Sequence, residues 1–325
     1  MIALRRLNKN CILAVPLYNV TARYFSTQSP KSSLNAVPST SEYDDLINAA
    51  GRKRDFTAVR HLLSRRSRDG LLNTNNTFRF IATDPSVLDE LLQSLAAIDD
   101  WFTRKNAHDA LVAQLSKLYR TAEALRVAET MARKKYGATA ATFHPIINAL
   151  ARKKEMSAAW VVLDVMRACK VRPALTSYNY ILSGHCFLGD VASAAEALGK
   201  MEAEGIRADS MTYDALVQGA CKAGKVEAAL VVMRRMVEVG VPALHSTYLH
   251  IISEMLRRRC DRAALEFVGI FAGRDKKLDA ESFGFLARRL KNMKRIAEAK
   301  VVVEEMVKRG LPIADGIGGF GPKFT

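Results

Sequence analysis

Basic side chains recur at a regular interval along this 325-residue chain. Lys117, Arg152, Lys222 and Arg257 lie on one 35-residue grid, and Arg52 joins it once a shortened second interval is allowed for. At three of these places the charge is a run: Arg52-Lys53-Arg54, Arg152-Lys153-Lys154 and Arg257-Arg258-Arg259. Such a series suits a regularly spaced polyanion, because each phosphate paired with Lys or Arg releases condensed counterions. The formal net charge of +16 points to an anionic partner in the same way. The competing reading is local: cations at a helix end complement its dipole and keep the surface soluble. Both readings stand at this level, since Phe187 and Asn292 occupy the same grid position elsewhere.

No catalytic residues are identifiable. The six histidines, His61, His108, His144, His185, His245 and His250, are scattered, and no HExxH occurs. The paired carboxylates Asp44-Asp45, Asp99-Asp100 and Glu304-Glu305 are adjacent in sequence, and adjacent residues on a helix do not share a face. The five cysteines (Cys11, Cys169, Cys186, Cys221 and Cys260) contain no CxxC pair, so neither a zinc site nor a disulfide framework is indicated. No glycine-rich phosphate loop is followed by a lysine. The expectation is a protein without catalytic residues, metal, cofactor or small-molecule substrate.

The elements that position the cations are helices in a repeat. Ala124, Ala159, Ala194, Ala229, Ala264 and Ala299 are spaced thirty-five residues apart. The clearest unit is 210 to 244, which reads as two amphipathic helices joined by a short turn and closed by Gly-Val-Pro. The same frame gives units 40–74, 75–104, 105–139, 140–174, 175–209, 245–279 and 280–314, with 75–104 short and degenerate. In that unit Asp84-Pro85 looks like a helix start leading into Ser86 to Phe102. The fourth residue of each unit is aromatic, at Tyr43, Phe78, Phe143, Tyr178, Tyr213, Tyr248 and Phe283, with His108 as the one substitute. With the alkyl residues three and four later it forms the buried stripe of the first helix. The second helix carries the alanine ladder and Met131, Met166, Met201, Met236 and Met306, with Phe271 in the corresponding place of the unit from 245. Small residues let helix axes approach and the larger ones fill the wider gap. Gly205, Gly240 and Gly310 end second helices in a left-handed conformation, where Lys170 and Asp275 stand in other units.

The first forty residues differ from the rest. Arg5, Arg6, Lys9, Arg23 and Lys31 occur with no acidic residue before Glu42, and a serine-rich run follows Phe25. This is the composition of an organelle transit peptide, read here as residues 1–25 with cleavage after Phe25 and import into the mitochondrial matrix. Residues 26–39 read as a disordered linker. The apolar run from Cys11 to Leu17 is too short to span a bilayer and is broken by Pro16, so no membrane partner is expected. Gly316 to Gly321 gives residues 315–325 the composition of a flexible tail.

The 35-residue period, the Thr212-Tyr213 start, the Cys221-Lys222-Ala223-Gly224 turn and the Gly240-Val241-Pro242 end together resemble the pentatricopeptide repeat family, over about residues 40 to 314. The 34-residue tetratricopeptide pattern would slip one residue per unit across the array. The resemblance implies an all-α, right-handed α-solenoid of stacked helix-turn-helix repeats without an editing or nuclease extension. It also implies single-stranded RNA as partner, with one base read per repeat by the fifth and last residues of a unit. Asn179 with Asp209 resembles a uridine-reading pair; Asp214 and Asp279 are further base-reading candidates, each with an apolar partner, Leu244 and Leu249. Arg52, Lys117, Arg152, Lys222 and Arg257 are the phosphate candidates. The expected function is non-catalytic RNA binding in mitochondrial RNA metabolism or translation. The alternative is a scaffold subunit of the mitochondrial ribosome or another ribonucleoprotein, contacting ribosomal RNA or mitochondrial ribosomal proteins without reading sequence.

Overall fold

The computed structural model describes residues 37–313 apart from residue 274. The expected transit segment, the tail and most of the linker lie outside the described residues. Among the described residues there are fifteen α-helices, two short 3-10 turns and no strand. The helices are α1 (Thr40–Arg52), α2 (Phe56–Arg68), α3 (Leu88–Ala96), α4 (Trp101–Lys117), α5 (Thr121–Arg133), α6 (Ala140–Arg152), α7 (Met156–Ala168), α8 (Leu175–Leu188), α9 (Val191–Ala203), α10 (Ser210–Lys222), α11 (Val226–Glu238), α12 (His245–Arg257), α13 (Asp261–Phe271), α14 (Lys276–Asn292) and α15 (Ile296–Lys308). The chain divides between Ile181 and Leu182, within α8, into two compact units, each a short α-solenoid.

Within each unit the building block is a helix hairpin whose first helix packs on the first helix of the next hairpin, as α4 does on α6 and α10 on α12. All six ladder alanines are fully buried. Met131, Met166, Met201, Met236 and Met306 are buried with them, as are all eight residues of the aromatic column, His108 included. A short turn joins the two helices of a hairpin, and it always has one residue in the left-handed region: Arg54, Tyr119, Lys154, Gly189, Gly224, Arg259 and Lys294. The second helices end similarly, with Gly205, Gly240 and Gly310 at positive φ; Lys170 adopts the same conformation without being glycine.

Two regions depart from the sequence expectation. In the shortened unit the first helix is reduced to two 3-10 turns, Arg79–Ala82 and Pro85–Val87. Phe80 lies directly against Gly51, leaving no room for a Cβ there. Asn48 holds the segment by accepting from Phe80 N–H (2.9 Å) and donating to the Asn76 carbonyl (2.8 Å). Asp84 caps the second turn through Ser86, yet no helix runs from Ser86 to Phe102. Instead α3 stops at Ala96, and Asp100 starts α4 by accepting from Thr103 N–H at 2.8 Å. At the other end of the chain α13 stops at Phe271, and Asp275 is extended (φ −141°) as the N-cap of α14. It is therefore a helix start and not a left-handed helix end. α14 begins a turn earlier than the frame predicts, and Phe267 takes the buried place expected of Phe271, which is only half-buried.

Candidate nucleic-acid interface

The five grid cations share one structural position. Arg52, Lys117, Arg152, Lys222 and Arg257 are the last residues of α1, α4, α6, α10 and α12, the first helices of their hairpins. Each side chain therefore emerges at the turn edge of its unit. A helix C-terminus carries roughly half a negative charge, which one cation offsets. In the runs that follow, Arg54 is paired with Asp84 (2.6 Å) and Glu90 (3.4 Å), and Lys153 lies 4.0 Å from Glu155.

The surroundings of the five differ. Arg52, Lys117 and Arg152 are exposed and have no carboxylate partner among the described residues. Lys222 is half-buried, with its ammonium 5.0 Å from the centre of the Phe187 ring, and burial lowers its pKa. Arg257 is held by Glu254 of its own helix, through Nε–Oε2 at 2.7 Å and Nη2–Oε1 at 2.6 Å. Glu254 also accepts from Arg258 Nε at 2.5 Å and is buried between them. Arg257 thus shares one carboxylate with Arg258, which orients its guanidinium and leaves it less available than Arg52, Lys117 and Arg152.

The fifth position of the repeats has a use that the sequence reading missed. Asp44 Oδ1 accepts from the Thr77 hydroxyl at 2.8 Å, Asp109 Oδ1 from Thr142 at 2.7 Å, and Asp214 Oδ1 from Thr247 at 2.7 Å. His144 Nε2 lies 3.0 Å from the Ser177 hydroxyl. In each case the partner is the third residue of the following repeat, thirty-three positions on. Three of these hydroxyls also accept the backbone N–H three residues earlier, from Thr74 to Thr77 (2.8 Å), Thr139 to Thr142 (3.2 Å) and Ala174 to Ser177 (3.2 Å). One buried hydroxyl thus closes the first turn of its own repeat and bonds the preceding one. The sequence signal was the Ser or Thr at the third position: Thr77, Thr142, Ser177, Thr212, Thr247 and Ser282. Where the fifth residue is Leu249 the bond cannot form, and the buried Ser282 hydroxyl has no partner among the described residues.

This arrangement bears on the base-reading candidates. Both oxygens of Asp44 are occupied, by Arg66 (2.6 Å) and Thr77 on one and by Thr74 (2.5 Å) on the other. Asp214 accepts also from Ser246 at 2.9 Å and lies 3.8 Å from His250 Nε2. Burial pushes its carboxyl up, but the bonds from His250, Thr247 and Ser246 outweigh this and hold it below its ordinary value. Asp214 therefore stays charged and engaged with protein. Asp279 is not at a repeat end; it lies inside α14, buried, accepting from Gly273 N–H at 2.7 Å. The early start of α14 is the cause. Asn179 is half-buried on α8, and Asp209 is the N-cap of α10, accepting from Thr212 N–H (2.8 Å) and its hydroxyl (2.7 Å). These two residues belong to different compact units.

No group of three or more His, Cys, Asp or Glu that could hold a metal is present among the described residues. Burial pushes the Cys186 thiol up to about 12 and raises that of Cys221 as well, so neither is a nucleophile at neutral pH. Burial also lowers His144, which is a neutral imidazole there.

A sequence profile described as the pentacotripeptide-repeat region of PRORP matches residues 93–257. The chain is 42% identical over 314 residues to the mitochondrial pentatricopeptide repeat-containing protein At3g56030 of Arabidopsis thaliana, covering 94% of this chain and 90% of that protein. It belongs to the pentatricopeptide repeat family. A second Arabidopsis thaliana member, the mitochondrial pentatricopeptide repeat-containing protein At2g40240, is 46% identical over 284 residues, covering 86% of this chain and 81% of that one. Among solved structures, the pentatricopeptide repeat protein PPR10 in complex with an 18-nt psaJ RNA element superposes with a TM-score of 0.50 at 18% identity. The match covers 83% of this chain but only 39% of PPR10, and at that identity it speaks for the fold alone. As in other pentatricopeptide repeat proteins, the unit here is a helix hairpin of about thirty-five residues stacked on its neighbours.

Proposed function

We propose that this pentatricopeptide repeat protein is a non-catalytic RNA-binding protein of the mitochondrial matrix, acting in RNA metabolism or translation. The observation that carries the reading is the recurrence of a cation as the last residue of the first helix in five hairpins, three of them exposed and without a carboxylate partner. Phosphates are met there by Arg52, Lys117 and Arg152 in one unit and by Lys222 in the other, and the resulting affinity is largely independent of sequence. Base contacts are proposed for Asn179 and for Asp209 separately, each from its repeat position alone. The matrix assignment rests on the arginine-rich, acid-free first forty residues and on relatives that are named mitochondrial.

A second reading, a scaffold subunit of the mitochondrial ribosome or another ribonucleoprotein, is favoured by the fifth-position residues Asp44, Asp109 and Asp214, which bond the next repeat. Gradient sedimentation of the native protein with and without mild nuclease separates the two. An RNA-binding factor moves to the light fractions once RNA is digested. Co-migration with a ribosomal subunit that survives the nuclease would favour the scaffold.

A further inference from the structure

In the compact unit that begins at Leu182, the hairpin turns form one row. Gly189 lies against Ala223, whose Cβ is 3.8 Å from where a side chain at Gly189 would begin. Arg258 donates to the Gly224 carbonyl, and Arg295 Nη1 pairs with Asp261 at 2.5 Å. These contacts link the α8–α9, α10–α11, α12–α13 and α14–α15 turns in that order.

Two kinds of side chain project from the row. At one end Phe187 and Leu188 close α8, and at the other Met293 and Ile296 flank the last turn; each is 40% exposed or more. Beside them Lys225, Arg259 and Lys294 are exposed and have no carboxylate partner among the described residues. The carboxylates of the row are engaged elsewhere. Glu254 is held by Arg257 and Arg258, Asp261 and Glu298 by Arg295, and Asp190 caps α9 through Ser193 N–H; Glu227 is the exposed exception. Positive charge is therefore in excess along the row.

Exposed apolar side chains occur elsewhere, but in other company: Trp101 follows Asp99 and Asp100, and Ile270 follows Glu266 by one helical turn. What sets the turn row apart is aliphatic side chains beside unpaired cations. A nucleic acid would use the cations and leave Leu188, Met293 and Ile296 in water, because aliphatic chains offer a base no ring to stack on. An anionic bilayer surface uses both. Its headgroup phosphates meet the cations, and the aliphatic tips enter the boundary between headgroups and acyl chains. Such contact requires no crossing segment, and no described helix is long and apolar enough to be one.

We propose that the turn row from Phe187 to Ile296 is a docking surface for an anionic lipid bilayer. This revises the expectation of no membrane partner, which rested on the lack of a spanning segment. It uses Lys225, Arg259 and Lys294, none of which is assigned to RNA phosphates, and stands apart from the RNA-binding reading.

Flotation of the full chain with vesicles of phosphatidylcholine alone, and of phosphatidylcholine and phosphatidylglycerol in equal parts, tests the proposal. All proteins carry Arg5→Gln, Arg6→Gln, Lys9→Gln and Arg23→Gln, which takes the cations of the N-terminal segment out of the comparison. Helicity and melting temperature check folding. The parent protein binds the mixed vesicles far more tightly than phosphatidylcholine. Leu188→Ser, Met293→Ser and Ile296→Ser together weaken that binding by about tenfold. Lys225→Gln, Arg259→Gln and Lys294→Gln together weaken it by about a hundredfold. Lys134→Gln, Lys135→Gln and Arg172→Gln, at exposed cations of the other unit, have a much smaller effect. Equal loss from the two charge variants would reduce the contact to net charge and overturn the proposal. So would unchanged affinity in a folded serine variant, or no binding to the mixed vesicles. A row that binds oligouridine and not the vesicles is a nucleic-acid surface, which overturns it as well.

Discussion

Arg152 and Arg257 occupy the same repeat position and differ in what surrounds them. Arg152 is exposed without a carboxylate partner, whereas Arg257 is bonded twice by Glu254. The first is the freer to exchange counterions for phosphate. Arg152→Gln should therefore reduce the salt slope of single-stranded RNA binding by about 0.7. Arg257→Gln should reduce it by less, because that guanidinium is held by Glu254; filter binding over a salt series measures both. The third-position hydroxyls give a second contrast at this scale. Thr142→Val removes the donor to Asp109 and the acceptor for Thr139 N–H, at a cost of about 1.5–3 kcal/mol because the partner is charged. Ser282→Ala removes a buried hydroxyl that has no partner among the described residues, and should be neutral or slightly stabilising. Urea unfolding of the two variants checks the contrast. Neither Arg257's pairing nor the hydroxyl bond was legible in the sequence. Both depend on which residues meet across thirty-three positions, or on one helix face, and residue type alone does not say that Glu254 turns toward Arg257 and not toward solvent.

At the scale of the element, the buried columns were legible because they need only one residue type at one spacing. The alanine ladder and the aromatic column are interior throughout, so residue size alone indicated which faces meet. Ala229→Leu should overpack that seam and cost about 1–3 kcal/mol, measured as a drop in thermal stability. The hairpin turns were less legible, since five of the seven left-handed positions carry a residue other than glycine. Lys294 is one of them, at φ 61°. Lys294→Gly should stabilise by about 0.5–1 kcal/mol, as relief of the left-handed penalty exceeds glycine's extra unfolded-state entropy. The helix starts at Asp100 and Asp275 were missed for a common reason. Each Asp caps a seventeen-residue first helix that begins a turn before the repeat frame, and a frame fixed on the ladder does not reveal an added turn. That turn is what puts Asp279 inside a helix and removes it from the base-reading position.

For the molecule as a whole, the repeat architecture places cations on the turn edge of each unit, while fifth-position residues of several repeats hold neighbouring repeats together. The same stacking that makes the array stable takes up Asp44, Asp109 and Asp214. On the proposed function, an array built this way binds a polyanionic chain with little dependence on sequence. The phosphate role of this edge is tested by the dependence of single-stranded RNA affinity on salt for the intact protein and for the triple variant Arg52→Gln, Lys117→Gln, Arg152→Gln. If the turn edge binds phosphates, the triple variant has a slope shallower by about two, with unchanged helicity. An unchanged slope in a folded triple variant would contradict the account.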